Sequence, residues 1–215
     1  MIIYEYTEWS VYAGGYTMKD TREHILNMSF ELFLQKSFKE VTMKEIVEKT
    51  GLSKGAFYHY FDSKEQIYLE VINQAFSSLI YVDFSRFDKS SLCRFYHNYL
   101  EYMDQIYTSF QRSSNGDTFD LNYYSLIFDA LRIFPDFKER MLKSSGEEMD
   151  AWKAIIHDAR VSGEIQSPMS DEEIASVFVH TNSGIGMNNM MIGKSETTTA
   201  QLKVLWDSLY TQIKA

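Results

Sequence analysis

The residues between positions 42 and 64 combine small, cationic and hydroxyl-bearing side chains in a pattern that suits contact with DNA. Lys54 stands at the start of a short helical segment, and the small residues Gly55 and Ala56 follow it. A helix with small residues in its first turn can approach base edges in the major groove, where an alanine methyl can contact thymine. This spacing predicts a helix that reads base edges with its first turn.

Other side chains of the same segment could hold the DNA backbone. Tyr58, His59 and Tyr60 carry hydrogen-bond donors for phosphate oxygens. Thr42 offers a hydroxyl at a helix N-terminus, where backbone N–H groups favour an anion, and the Lys64 cation could bind a phosphate on the flank. The predicted DNA-contacting residues are Thr42, Ser53, Lys54, Gly55, Ala56, Tyr58, His59, Tyr60 and Lys64. Taken alone, a tyrosine of this kind is more often a core aromatic, and a lysine is more often a solvated surface cation. Only their occurrence in register with the helix caps and the glycine turn favours a role in DNA contact.

Two short helices joined by a glycine turn must position these residues. Thr42 and Glu45 have the spacing of a capping box that starts the first helix, and Gly51 ends it. Ser53 caps the second helix, which is predicted to run to Phe61. An apolar stripe in the preceding segment predicts a third helix behind this pair, because a helix-turn-helix cannot bury its own core.

The sequence resembles the TetR (tetracycline repressor) family of transcriptional regulators. The resemblance rests on two segments of about 50 residues together, TREHILNMSFELF and SFKEVTMKEIVEKTGLSKGAFYHYFDSKEQIYLEVI, and on the helical remainder. It implies an all-α fold, with an N-terminal three-helix helix-turn-helix head and a larger helical ligand-binding and dimerisation domain. In that family, the residues at the positions of the predicted DNA-contacting set lie on the surface that faces DNA, with the exception of the positions of Ser53 and Ala56. The chain departs from the family pattern at Ser37, often Gly, and at Val47 and Thr50, often Ala.

The resemblance divides the chain into three parts. Residues 1–17 are an extension of different composition before Met18, residues 18–66 are the DNA-binding head, and residues 67–215 are the ligand-binding and dimerisation domain. By the same resemblance, the last two predicted helices form the seam of a homodimer. Their apolar positions at helical spacing are Ile174, Val177, Phe178, Leu202, Leu205 and Leu209.

The body is dense in aromatic residues between positions 84 and 134. Such a stripe is most often core, but an excess of rings also suits an apolar pocket between helices. Tyrosine faces beside Glu101 and Asp104 could accept a planar cationic ligand. The predicted ligand-binding residues are Tyr99, Tyr102, Met103, Tyr107, Tyr124 and Phe128.

The acidic composition sets a limit on DNA binding. With 21 Lys/Arg and 30 Asp/Glu the net charge is -9, and binding to phosphates needs cations. The head is less acidic than the average, since residues 18–66 hold eight Lys/Arg and eight Asp/Glu, a net of zero (8 - 8). The alternative function is a helical small-molecule-binding or scaffold protein without DNA binding.

The remaining function classes find no support in the sequence. It contains none of the common hydrolase, P-loop or dinucleotide-binding motifs, so we expect no enzyme and no cofactor. His97, His157 and His180 are too scattered to predict a metal site.

The single cysteine, Cys93, excludes an internal disulfide and fits a reducing cytoplasm. No apolar run approaches the roughly 18 residues that span a bilayer. The expected partners of this cytoplasmic protein are a double-stranded DNA operator, a small-molecule effector and a second copy of the chain.

Overall fold

The fold is built from α-helices joined by short turns. The computed structural model describes residues 18–80, 82–112 and 119–215; for residues 18–19, 75–80, 107, 109–112 and 119–123 it describes the backbone alone. The helices are α1 (Met18–Gln35), α2 (Met43–Thr50), α3 (Lys54–Tyr58), α4 (Lys64–Ile80), α5 (Leu92–Arg112), α6 (Phe119–Ile133), α7 (Pro135–Val161), α8 (Asp171–Met191) and α9 (Thr198–Ile213). Since these residues contain no β-strand, the predicted all-α fold is confirmed for them. The N-terminal extension 1–17 and the side chain of Tyr107 lie outside the described residues.

Helices α1 to α3 form the head, and α4 leads from it into the body. The phenyl rings of Phe33 and Phe38 meet the ring of Tyr68 edge-on, with centroids 4.7 and 4.8 Å apart. Tyr68 is fully buried on α4, so the first helix and the fourth share one aromatic contact. The proposed domain boundary at residue 66 therefore falls inside α4, a helix that contributes to both parts.

In the body, a pair of long helices, α7 and α8, is joined by a turn that Arg160 fixes. Its guanidinium donates to the Asp171 carboxylate at 2.8 Å and to the carbonyls of Ser167 and Met169 at 2.9 and 2.7 Å. Ser170 and Glu173 form the N-terminal capping box of α8. These local bonds set the direction in which α8 returns along α7.

The centre of the body is aromatic. The Trp152 ring of α7 stacks on Phe178 of α8 at 4.6 Å, and Trp206 of α9 meets both rings edge-on, at 5.4 Å from Trp152 and 5.1 Å from Phe178. All three side chains are almost completely buried. Burial of such large rings is the main stabilising contribution in a helical body of this kind.

Two features of the helices differ from the sequence predictions. Helix α3 ends at Tyr58 rather than Phe61, because the regular helical pattern stops there: the Tyr60 amide bonds three residues back to the Phe57 carbonyl at 2.9 Å, and the Phe61 amide shares that carbonyl at 3.4 Å. Of the apolar positions expected at a dimer seam, Ile174, Phe178 and Leu202 are fully buried within the protomer. Phe178, for example, packs against Trp152 and Trp206, and apolar spacing alone does not show which side of α8 or α9 the rest of the protomer covers.

No helix among the residues that the structure describes is both long enough and apolar enough to cross a bilayer.

Candidate nucleic-acid interface

Hydrogen bonds at the start of α2 and in the following turn fix the helix-turn-helix. The Thr42 hydroxyl accepts from the Glu45 amide at 3.2 Å, and the Glu45 carboxylate accepts from the Thr42 amide at 2.9 Å, which confirms the capping box. Gly51 has a φ of 68° and ends α2 in the left-handed conformation that favours glycine. The imidazole of His24 on α1 lies 3.0 Å from the Thr50 carbonyl, so this turn is tied to the helix behind it.

Helix α3 is anchored by one buried ring. Phe57 is completely buried, whereas Lys54, Gly55 and Ala56 are exposed. The Ser53 hydroxyl accepts from the Ala56 amide at 3.3 Å and caps the helix. The predicted base-reading residues therefore share the outer edge of α3, with no side chain larger than the Lys54 stem on that first turn.

The aromatic residues after this turn are divided between solvent and core. Tyr58 is 46% exposed and His59 is also exposed, so both donors can reach a neighbouring phosphate. Tyr60 is half-buried and packs against the apolar core. Of the two tyrosines that the alternative interpretation assigned to the core, Tyr60 thus has the packing role and Tyr58 is exposed.

Ion pairs neutralise most of the cations described in the head. Arg22 pairs with Glu70, Lys36 with Glu45, Lys44 with Glu48, and Lys49 with Glu31. Within the described ranges, no carboxylate lies within 4 Å of Lys54 or Lys39. Both lysines are exposed, so a head of zero net charge still presents two positive side chains to an anion.

Lys39 was not predicted from the sequence. It lies in the loop before α2, beside Phe38, and its position three residues before Thr42 in the chain was the only available signal. Because the neighbouring carbonyls of Phe38 and Val41 both accept from Lys64, this loop and the start of α4 lie together on one flank of the head.

The ammonium of Lys64 points into this flank rather than only outward. Its Nζ donates to the Phe38 carbonyl at 2.6 Å and to the Val41 carbonyl at 2.7 Å, and it lies 4.3 Å from the centre of the Phe38 ring. At most one of its three N–H bonds remains for a phosphate oxygen. The sequence suggested a phosphate contact alone, and the structure adds a role in holding the head together.

The N-terminus of α2 already holds an anion from the protein itself. The Glu45 carboxylate accepts from the Thr42 amide and hydroxyl and from the Lys36 ammonium at 2.6 Å. These hydrogen bonds, the one from Lys36 first, lower the pKa of Glu45 to about 2. A phosphate at Thr42 would have to bind beside this carboxylate or displace it.

The five predicted ligand-binding residues whose side chains the structure describes do not line one surface. Tyr99 and Met103 are buried core residues of α5, whereas Phe128 is 56% exposed and stacks on Tyr124 of α6 at 6.1 Å. Tyr102 is half-buried, with its ring 5.7 Å from Phe87.

The carboxylates expected beside these rings are also placed differently. Glu101 and Asp104 are exposed, and Asp104 accepts from the Thr199 hydroxyl at 2.7 Å. Instead the Tyr99 hydroxyl donates to Glu148 on α7 at 3.0 Å and accepts from the Asn182 amide on α8 at 2.9 Å. Burial raises the pKa of the Glu148 carboxyl, although its bond with Tyr99 opposes this effect.

Metal-binding chemistry is not evident in the part of the chain that the structure describes. No three His, Cys, Asp or Glu side chains meet there in an arrangement that could hold a metal ion.

Comparison with known proteins assigns the head. Residues 25–71 match the sequence profile of the family described as bacterial regulatory proteins, tetR family. A Lactococcus lactis protein described as an uncharacterized HTH-type transcriptional regulator in the lacX 3' region is 36% identical over 58 residues. This match covers 27% of the present chain and 30% of that relative, so the chain spans well under two thirds of the relative's length.

Longer but weaker similarities extend into the body. The HTH-type transcriptional regulator QacR of Staphylococcus aureus is 24% identical over 154 residues, which is 66% of this chain and 72% of QacR. The crystal structure of reduced Escherichia coli NemR superposes with a TM-score of 0.56 at 19% identity, covering 91% of this chain and 97% of NemR. At this identity the superposition shows a shared fold. Residues 25–71 thus match the TetR family of bacterial regulatory proteins, and the chain as a whole shares the fold of NemR.

Proposed function

We propose that the protein is a cytoplasmic, ligand-responsive repressor that binds a palindromic DNA operator as a homodimer and is released by a small molecule. The observation that carries this proposal is the outer edge of α3, where Lys54, Gly55 and Ala56 are exposed while Phe57 alone anchors the helix. Small residues beside a lysine that has no carboxylate within 4 Å among the described residues allow close approach to base edges in a major groove.

The exposed head residues divide into two roles. Lys54 and Ala56 are proposed to contact bases, with Gly55 allowing close approach and Ser53 fixing the start of α3. Tyr58 and His59 are proposed to contact phosphates beside the groove, with Tyr60 supporting them from its half-buried position. Thr42 and the loop residue Lys39 are proposed to contact the backbone on one flank, where Lys64 can offer its remaining N–H.

Exposed apolar residues on α8 and α9 support dimerisation through the last two helices. Val204 and Leu205 on α9 are 67% and 48% exposed, and Met187 and Met191 on α8 are 41% and 50% exposed. An apolar groove between these helices is lined by Ile185, Thr197, Ala200, Gln201, Val204 and Leu205. Covering such a surface with a second copy removes it from water and would form a four-helix seam. The proposed seam thus keeps Leu205 from the positions that the apolar spacing indicated and adds Val204, Met187 and Met191.

Contacts of α6 with the head offer a route by which a ligand could change DNA binding. The Asp129 carboxylate on α6 accepts from the Phe38 amide at 3.2 Å, and the Tyr68 hydroxyl donates to the Leu126 carbonyl at 3.0 Å. A ligand that favours a different position of α6 would bias the orientation of α1 and α4. In the dimer, this would alter the separation of two α3 helices that must meet grooves about 34–36 Å apart.

Gel shifts on a pool of genomic fragments, at two salt concentrations, test DNA binding. We expect a preferred fragment, and we expect Lys54→Ala to weaken binding to it by about tenfold or more while reducing the preference over other fragments. Lys143→Ala is the matched control, because Lys143 is an exposed lysine on α7, paired with Glu147 at 3.6 Å. If the wild-type protein prefers no fragment, the alternative of a helical ligand-binding or scaffold protein, which the net charge of -9 favours, replaces the repressor.

A further inference from the structure

An exposed ion pair lies where the loop after α1 meets the start of α2. Lys36 directly follows α1, and its Nζ lies 2.6 Å from Oε1 of Glu45. The side chains of Lys36 and Glu45 remain 45% and 33% exposed. Exposed pairs of this kind add little to stability, because water screens both charges and two flexible side chains must be ordered. An anion from solvent can therefore compete with Glu45 for this lysine.

The two carboxylate oxygens of Glu45 have different partners. Oε2 accepts from the Thr42 amide at 2.9 Å and from the Thr42 hydroxyl at 3.0 Å, and these bonds belong to the cap of α2. Oε1 accepts from Lys36. A capping box needs only the threonine and the glutamate. Lys36 can thus release Glu45 while the cap of α2 stays in place.

Two other cations of the head hold helices together. The Arg22 guanidinium, which pairs with a carboxylate on α4, lies 5.2 Å from the centre of the Phe61 ring. Lys49 is 26% exposed and joins α2 to Glu31 on α1 at 2.9 Å. An exchange of partner by either residue would disturb contacts between helices. Lys36 instead extends from a loop, so a change of its partner leaves those contacts intact.

The loop that begins at Lys36 already carries groups proposed for the DNA backbone. It contains Lys39, which is exposed and has no carboxylate within 4 Å among the described residues, and it ends at Thr42. Because Glu45 bridges Thr42 and Lys36, a phosphate that approaches Thr42 also comes close to the Lys36 ammonium. Phosphate oxygens accept charge-assisted hydrogen bonds from ammonium groups, as carboxylates do.

We propose that Lys36 pairs with Glu45 in the free protein and transfers to a DNA phosphate when the head binds a duplex, while Glu45 remains on the cap of α2. This inference rests on the proposed DNA binding and adds to it a phosphate contact that the sequence did not predict. Glu45 then acts as a competitor within the protein. It lowers the affinity for every DNA sequence alike and leaves the base preference of α3 unchanged, because a phosphate contact carries no sequence information.

Fluorescence anisotropy with the full chain tests the exchange over a series of salt concentrations. The probes are the fragment preferred in gel shifts and a scrambled duplex of the same length. Lys36→Gln should reduce the slope of log K against log salt concentration by about 0.9 on both duplexes. Glu45→Gln, which keeps a residue able to complete the capping box, should raise the affinity for both at least about threefold.

A double variant separates the exchange from a general change of charge. The gain from Glu45→Gln should disappear when Lys36→Gln is also present, because the two side chains act on each other. Glu48→Gln is the matched control, since Glu48 lies one turn further along α2 and pairs with Lys44 at 3.6 Å. Any gain from that change should be the same with and without Lys36. Lys49→Gln controls for loss of a lysine and should leave the slope unchanged.

Circular dichroism verifies that each variant keeps the helical content of the wild type. The inference is overturned if folded Lys36→Gln protein keeps the wild-type slope, or if the gain from Glu45→Gln persists without Lys36. Either result, obtained on DNA that the wild type binds, leaves the proposed function standing. Absence of binding to both duplexes, by the wild type and by Glu45→Gln, would reject the proposed function together with this inference.

Discussion

Replacing Lys64 by methionine removes an ammonium group that joins the loop before α2 to the start of α4. Methionine keeps an unbranched apolar stem but leaves the carbonyls of Phe38 and Val41 without this donor, in residues that are themselves buried. Each buried carbonyl that loses a charged donor costs about 1–3 kcal/mol, and loss of the contact with the Phe38 ring adds about 0.5–1 kcal/mol.

Because Lys64 is partly exposed, we expect the lower part of these ranges, about 3 kcal/mol in the free energy of unfolding. For a chain of this length, 1 kcal/mol shifts the unfolding midpoint by roughly 2–4 °C, so the expected fall in Tm is roughly 6–12 °C. Urea and thermal unfolding followed by circular dichroism measure it. Lys143→Met is the matched control, since an exposed i,i+4 pair contributes only about 0.3–0.5 kcal/mol.

The salt dependence of DNA binding separates this stabilising role from a phosphate contact. Measured well below Tm, a variant that has lost one phosphate contact shows a slope of log K against log salt concentration that is smaller by about 0.9. We expect both the fall in Tm and this change of slope. The structural reasoning is refuted if Lys64→Met unfolds within 1 kcal/mol of the Lys143→Met control, because the ammonium would then not be fastened to the two carbonyls.

Further predictions concern the α2 cap, the dimer and the contact between body and head. The pKa of Glu45 is lowered to about 2 from its ordinary 4.5, so its stabilising contribution is present above pH 4.5 and is lost as the pH falls towards 2; the unfolding midpoint of Glu45→Gln should therefore fall less over this interval than that of the wild type. Val204→Glu places a charge on the exposed face of α9 and should convert a dimer into a monomer in light scattering at micromolar concentration; a variant that remains dimeric would place the seam elsewhere. Asp129→Ala removes the acceptor of the Phe38 amide and should cost about 1–3 kcal/mol of stability, with faster hydrogen exchange at residues 37–42; unchanged exchange there would show that α6 does not hold the head.

The head could be predicted largely from the sequence because its determinants are local. The capping box at Thr42 depends on residues three positions apart, and it is confirmed. Gly51 has the positive φ expected of a helix-ending glycine. The end of α3 was predicted three residues too late, because the turn after Tyr58 keeps apolar spacing without keeping regular helical bonds.

The body could not be predicted in the same detail, because its contacts join residues far apart in the chain. Tyr99 is 49 positions from Glu148 and 83 from Asn182, and their hydrogen bonds have no short-range signature. Spacing also cannot decide which side of an apolar helix is covered. Phe178 was assigned to a dimer seam and is buried in the protomer, whereas exposed Met187 was not singled out.

The attachment of α3 through Phe57 has a consequence for how operator preference can change. Side chains on the outer edge of this helix contribute little to the core, so a library randomised at positions 54 to 56 should return mostly folded proteins. New binding preferences could then arise by drift, or be selected for use in engineered gene circuits, without compensating substitutions elsewhere. The adjoining turn would not share this tolerance, since Gly51 adopts a backbone conformation that other residues rarely accept.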